Sequence, residues 1–488
     1  MLNLIFSFCI DDHGMDDYTV CDDRHILNIL SKVCSCWRVV MRSTIGFWTT
    51  LHFCTSAKKL CNAAITQHLL SLSRDMPLSL HFFTFVFPRD EENIQQSDDE
   101  HDGQASTVDL SAPPNQQLER ASSSSPPSFE ELRDMIIRLP SLSALASVAH
   151  RLKQLELDVT AKDFRCCSLV RYRDLEFRML STLSISVDDS REFDFGNFLE
   201  KFHNAPALQT LTIVGDEPLF VGDDGWPHMD TVRCSNFPWN QLTNLTLDIG
   251  IIAAEAREIL CLCTALETAV FSKLADDPEE DDLRPGRTLH PGSTLLLPNL
   301  RELSIASDAL FCCDLLERMW LPNLESLNLD VFHCIDCLDI LRDLGQRSKF
   351  RLLHFSLCEL DHEARALRSF LTQIPTLQEL DLQHCSDFTG LIKYFTYPRS
   401  QLGLPLLQFP DLRVFTVPQP RLQSVAECSE SLLKLVESLS HYAGGDETPC
   451  PVLETVWIPL SYHYADGGAR IKEQLASVCA NGFNIEYL

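Results

Sequence analysis

A short phrase, L-x-x-φ-x-φ with φ apolar, recurs from residue 152 onward, starting at Leu152, Leu180, Leu208, Leu242, Leu266, Leu300, Leu324, Leu352, Leu377, Leu412 and Leu453. Its last two apolar positions alternate with their neighbours, the period of a strand that buries one face. Six of the eleven units carry Pro two residues before the first Leu, at Pro206, Pro298, Pro322, Pro375, Pro410 and Pro451. With 25 Pro in 488 residues, chance would place 11 × 25/488, about 0.6, at those positions. The register is therefore written into the chain and is not an accident of its apolar content. Helical spacing fills the gaps at Ala253–Leu262, 308–319 and 361–372, the last two opened by the N-cap candidates Asp308 and Asp361. Strand, helix and strand running in one direction require a parallel sheet, because each helix must cross back before the next strand begins. The pattern predicts an α/β fold, an irregular solenoid with a parallel β-sheet on the concave face and helices on the convex face.

The N-terminal stretch has a different period. Ile26, Ile29, Leu30, Val33, Trp37 and Val40 recur at three- and four-residue steps, which places them on one face of a helix built for packing. Ser43-Thr44 and Gly46 break that run before a second large side chain, Trp48. Extended segments at 48–53 and 77–87 flank a helical stretch at 58–73, so the solenoid is expected to start directly after the first helices.

Two resemblances follow from these residues. Leu30-Ser31-Lys32-Val33-Cys34-Ser35-Cys36-Trp37-Arg38, with Ser43-Thr44 and Trp48 downstream, resembles the second half of an F-box as it appears in mushroom-type fungi. Met1-Leu2-Asn3-Leu4-Ile5-Phe6 resembles the first F-box helix, L-P-x-E-I-L-x-x-I-F. The family's Leu-Pro and Glu are missing and an acidic insert, 11–23, separates the halves, so a truncated start is expected. The resemblance implies a small all-helical F-box over 1–53 that docks on a Skp-type adaptor through Leu2, Ile5, Phe6, Ile29, Val33 and Trp37. The repeated units resemble leucine-rich repeats, most closely over 377–390, where Cys385 takes the family's Asn/Cys position. Other units lack Asn or Cys there, so the family's buried side-chain ladder is expected to be mostly missing. Steps of 24 to 41 residues also straddle and exceed the family's spacing.

Charge narrows the partners. The chain carries 40 Lys and Arg against 69 Asp and Glu, a formal charge of -29, which repels a nucleic-acid backbone and suits a basic or neutral protein. No apolar run approaches the roughly 20 residues that cross a bilayer, so no membrane partner is expected. No Lys or Arg precedes the apolar stretch 2–10 and no small-residue cleavage site follows it, which argues against export and for the cytoplasm, the nucleus or both. Without export, the 20 cysteines are expected to be reduced thiols. His333-Cys334-Ile335-Asp336-Cys337 holds half of a zinc-site spacing with no second pair to complete it, so neither metal nor cofactor is expected. Residues 54–88 read as a helix and strand leading into the solenoid. The acidic, Ser/Pro-rich stretch 89–128 reads as a disordered loop with too little apolar surface to offset its ordering entropy, and 129–488 reads as the repeat domain.

No P-loop, G-x-G-x-x-G, G-x-S-x-G or H-E-x-x-H is present; His362-Glu363 lacks the second His. An enzyme is not expected. The outward positions of the strand phrases contain Glu156, Asp158, Asp248, Asp330 and Asp381 and no Lys or Arg. Asp158, Asp248, Asp330 and Asp381 are candidate contacts to a basic segment of a protein substrate. Trp457, outward in the same register, is either a binding anchor or a side chain packed beneath the C-terminal helix. Together the resemblances imply a non-catalytic substrate-recognition subunit of a Skp–cullin–F-box type ubiquitin ligase, partnered by the adaptor, the cullin scaffold and an unknown substrate. The alternative is a leucine-rich-repeat scaffold or regulator with a degenerate F-box.

Overall fold

The computed structural model of the chain describes residues 26–54, 63–83, 145–159, 175–187, 195–215, 236–275, 294–332, 337–360, 364–385, 411–416, 419–420, 455–458 and 484–487. The chain divides into two compact units, Met1–Leu152 with Glu156–Leu175, and Lys153–Leu155 with Glu176–Leu488. The loop read at 89–128 and the N-terminal residues Leu2, Ile5 and Phe6 lie outside the described residues.

In the first unit, the helical run expected to be continuous is two helices, α1 (Ile26–Val33) and α2 (Ser35–Ser43). Cys34 separates them with extended backbone, φ -160° and ψ 171°, and its Sγ accepts the Trp37 N–H at 3.4 Å. A side-chain acceptor for an otherwise orphaned amide is what starts a helix, and the extended cap residue ends the one before. The break also changes which side chains are buried. Leu27, Leu30 and Met41 are enclosed, whereas Ile29, Val33 and Val39 are exposed and Trp37 is half-buried. A short 3-10 turn, Ile45–Trp48, then buries Trp48, whose Nε1 donates to the Met41 carbonyl at 2.8 Å.

Strands β1 (Thr50–Cys54), β2 (Leu78–Phe83) and β3 (Leu152–Val159) follow, with α3 (Ala63–Leu72) between the first two. β1 and β2 are parallel, with Leu51 opposite Leu80 and the buried rings of Phe53 and Phe82 stacked 5.2 Å apart. Buried Arg151 donates to Ser73 Oγ at 2.9 Å and to the Leu70 carbonyl at 2.8 Å. One guanidinium thus closes the C-terminus of α3, where carbonyls lack helical partners.

The second unit is the repeat array. Among the described residues, its strands longer than two residues are β4 (Thr182–Val187), β5 (Thr210–Gly215), β6 (Asn244–Asp248), β7 (Thr268–Ala275), β8 (Glu302–Asp308) and β9 (Ser326–Phe332). They continue as β10 (His354–Leu360), β11 (Glu379–Cys385), β12 (Val414–Thr416), β13 (Thr455–Ile458) and β14 (Asn484–Tyr487). Each pairs in parallel with the next in sequence. Leu183, Leu211, Leu245, Ala269, Leu303, Leu327, Phe355, Leu380, Phe415 and Val456 are successive partners in one buried row. A slip of one residue on any strand would turn that row to water, so the alternation in the sequence fixes the register.

Between the strands lie α4 (Phe195–Leu199), α5 (Ala253–Leu262), α6 (Ala309–Glu317), α7 (Cys337–Ser348) and α8 (Ala364–Leu371). α5 to α8 pack in succession, and Phe355 of β10 meets Phe370 of α8 edge-on at 5.1 Å, so helices cover the apolar face.

The repeated prolines have a physical reason. The carbonyls of Ala205, Leu297, Leu321 and Ile374 accept the N–H of the Leu three residues on, at 3.1 to 3.4 Å. Pro206, Pro298, Pro322 and Pro375 therefore stand second in a turn that needs the φ proline already has. Pro410 and Pro451 lie outside the described residues. After each turn a single carbonyl accepts two N–H groups of the next unit: Gln209 from Thr243 and Asn244, Glu267 from Arg301 and Glu302, Leu353 from Gln378 and Glu379. A side-chain ladder exists as well, displaced from where the resemblance put it. Gln241 donates to the Ala205 carbonyl at 2.6 Å, Asn299 to Thr264 at 3.1 Å, Asn323 to Pro298 at 2.6 Å and Thr376 to Leu352 at 2.9 Å. These donors all precede the first Leu of their unit.

Candidate functional site

In the first unit the N-terminal helices present apolar surface. Val33 and Val39 are 56% and 66% exposed and Ile29 is 46% exposed. Single exposed apolar residues are ordinary, but three on one short helix pair that also carries half-buried Trp37 mark a surface that water solvates poorly. Arg38 Nε donates to the Ser31 carbonyl at 3.0 Å and ties the start of α2 to the end of α1. Of the candidate adaptor contacts, Ile29, Val33 and Trp37 thus stand on this pair with their side chains wholly or partly exposed.

The sheet face of the same unit carries a cluster that reading each strand alone does not reveal. His81 Nδ1 pairs with Glu156 Oε2, and the His52 ring stacks on His81 at 4.4 Å with the planes 18° apart. Hydrogen bonding to His81, with further help from the charges of both histidines, holds the Glu156 carboxyl below the usual glutamate range against the opposing effect of burial. The signal is present in the sequence as Leu51-His52-Phe53, Leu80-His81-Phe82 and Leu155-Glu156-Leu157, one strand phase repeated three times. Asp158 lies on β3 in this unit.

On the second unit, Asp248, Asp330 and Asp381 occupy the outward phase of β6, β9 and β11. Asp248 already has a cation, since Lys273 Nζ lies 3.4 Å from Asp248 Oδ1 and donates to the Gly215 carbonyl at 3.0 Å. That lysine reaches the face through a β-bulge. Phe271 pairs with Ile305 and Leu274 with Ser307, so Ser272 and Lys273 stand opposite one residue. A period of two cannot foresee it. Asp330 and Asp381 differ from Asp248, for the Oδ1 of each is buried with no hydrogen-bond partner. Asp381 Oδ2 accepts from Ser356 Oγ at 3.2 Å and from Gln383 Nε2 at 3.3 Å. Beside them His354 Nδ1 lies 2.8 Å from Glu379 Oε2. Trp457 is half-buried and in register with Thr416 and Glu486, at the outward phase.

Among the described residues no group of three or more His, Cys, Asp or Glu side chains is placed to hold a metal, and no helix is long and apolar enough to cross a membrane. Cys337 is buried, and 333–336 lie outside the described residues.

One parallel strand per unit, a tight turn before it and helices over the buried row define a leucine-rich-repeat-like α/β protein whose outward face is polar. Such a fold suits protein–protein interaction. No family model matches the sequence, and no curated protein matches it. Among solved structures the chain is similar to the leucine-rich repeat-containing protein LegL7 from Legionella pneumophila, at 15% identity and a TM-score of 0.32, over 66% of this chain and 86% of that one. The strand register, and not that likeness, establishes the fold.

Proposed function

We propose that this chain is a non-catalytic substrate-recognition subunit of a Skp–cullin–F-box type ubiquitin ligase, working in the cytoplasm or the nucleus. The exposed Ile29 and Val33 on α1 and the half-buried Trp37 on α2 carry the reading, because they are the F-box positions expected to meet the adaptor. Adaptor binding would cover this apolar surface. The repeat array would then hold a protein substrate on its polar face, with Asp330, Asp381 and Trp457 among the contacts and Asp248 already matched to Lys273. Proximity to the transferred ubiquitin is the contribution such a subunit makes.

Affinity purification of the tagged full-length chain, with identification of bound subunits, tests this. The adaptor and cullin should be recovered with the wild type and lost with Ile29→Asp/Val33→Asp. The thermal midpoint should hardly move, since both side chains already face water. Recovery of neither subunit by the full-length chain would overturn the reading.

A further inference from the structure

Cysteine placement on α1 and α2 suggests regulation of this docking face. Among the cysteines of the described residues, Cys263, Cys312 and Cys337 are buried, and burial pushes the Cys263 thiol up to about 12. Cys34 and Cys36 are exposed instead, and they flank the face, one residue past Val33 and one before Trp37. Helical geometry at the intervening Ser35 sets their Cα atoms about 5.4 Å apart, inside the range a disulfide spans. The Cys34 sulfur has a structural task as well, since it is the N-cap acceptor for the Trp37 amide.

We propose that Cys34 and Cys36 form a redox switch, in which a peroxide closes a disulfide between them, opens the first turn of α2 and withdraws Trp37 from the docking face. The proposal rests on the adaptor reading for its consequence but not for its chemistry. A Cys34 thiolate attacks the peroxide O–O bond, giving a sulfenic acid and, with the thiol's proton, one water; the Cys36 thiol then attacks that sulfur and expels a second water. Two thiols lose two electrons and two protons, and hydrogen peroxide leaves as two waters. The new bond turns the Cys34 sulfur toward Cys36 and away from the Trp37 amide. It also draws Cys36 out of the helical geometry that points residues two apart to different sides. Thiol reductants reverse the step by exchange.

The test uses the full-length chain with hydrogen peroxide. A non-reduced digest read by mass spectrometry should contain a Cys34–Cys36 linked peptide, absent after reduction. Amide exchange at Trp37 and Arg38 should be roughly fivefold faster in the oxidised protein, the effect of losing a helix cap. Adaptor affinity should fall upon oxidation and return upon reduction. Cys34→Ser supplies a better cap and no thiol, so it should bind adaptor and ignore peroxide. A Cys34 that stays reduced while exposed Cys261 oxidises, or that links to another cysteine, overturns the switch. So does a Cys34–Cys36 bond that leaves exchange at Trp37 unchanged. If the reduced chain binds no adaptor, the functional reading fails while the linkage and exchange measurements still decide the switch.

Discussion

Two tryptophans in the first unit differ in burial. Trp48 is buried and its indole nitrogen is satisfied by Met41, whereas Trp37 is only half-buried. Trp48→Ala should therefore cost about 3 to 5 kcal/mol of stability, a typical cost for emptying a buried aromatic site. Trp37→Ala should cost markedly less while weakening adaptor binding, and chemical denaturation of both variants checks the order. Arg151 is a second sensitive residue. Arg151→Met removes the donor to the Ser73 hydroxyl oxygen and one of two donors to the Leu70 carbonyl, which keeps the Ser73 hydroxyl at 2.6 Å, and should destabilise by about 1 to 3 kcal/mol.

Glu156 gives a pH dependence with a definite sign. Its carboxyl is held below the ordinary value, so the folded state is favoured wherever Glu156 would be ionised in the unfolded chain. That contribution is complete above about pH 5, and it is lost as pH falls from about 4.3 through the lower folded value. Wild type and Glu156→Gln should accordingly differ in unfolding midpoint near neutrality and converge in acid. A difference that grows on acidification would contradict the His81 pairing as its source.

At the scale of elements, the strands were legible because three signals agreed: alternation, the leucine phase and the proline two residues earlier. The prolines proved to be turn residues at four of the six sites, the other two lying outside the described residues. The helix Ala253–Leu262 falls where its spacing placed it. The split at Cys34 was not legible, since apolar periodicity runs through residue 34 and cysteine is a rare cap; only the amide-to-sulfur bond explains it. Cross-strand chemistry was equally hidden. The bulge that brings Lys273 to Asp248, and the pairing that stacks His52 on His81, depend on which strands are neighbours.

One element holds avoidable strain. Lys349 ends α7 with φ 52°, its N–H donating to the Gly345 carbonyl at 2.8 Å, a left-handed cap that glycine adopts freely. Lys349→Gly should raise stability by about 1 kcal/mol, measured as a shift in denaturation midpoint with unchanged slope.

For the whole molecule, a charge of -29 sets the long-range field, but the outward sheet face does not carry it evenly. Asp248 is neutralised by Lys273, whereas Asp330 and Asp381 keep an oxygen without a donor. Asp330→Asn/Asp381→Asn should slow association with a basic substrate and flatten its salt dependence, while Asp248→Asn should change little. Equal effects from all three would mean that the face acts through bulk charge alone.

The central claim is that α1 and α2 are an adaptor-docking surface. Its most direct measurement is a calorimetric titration of purified Skp-type adaptor into the reduced full-length chain, wild type against Val33→Asp. Saturable one-to-one binding with a negative heat-capacity change, abolished by Val33→Asp in a protein with an unaltered thermal midpoint, is the result predicted. Absence of binding by the wild type, or binding that Val33→Asp leaves intact, would contradict it.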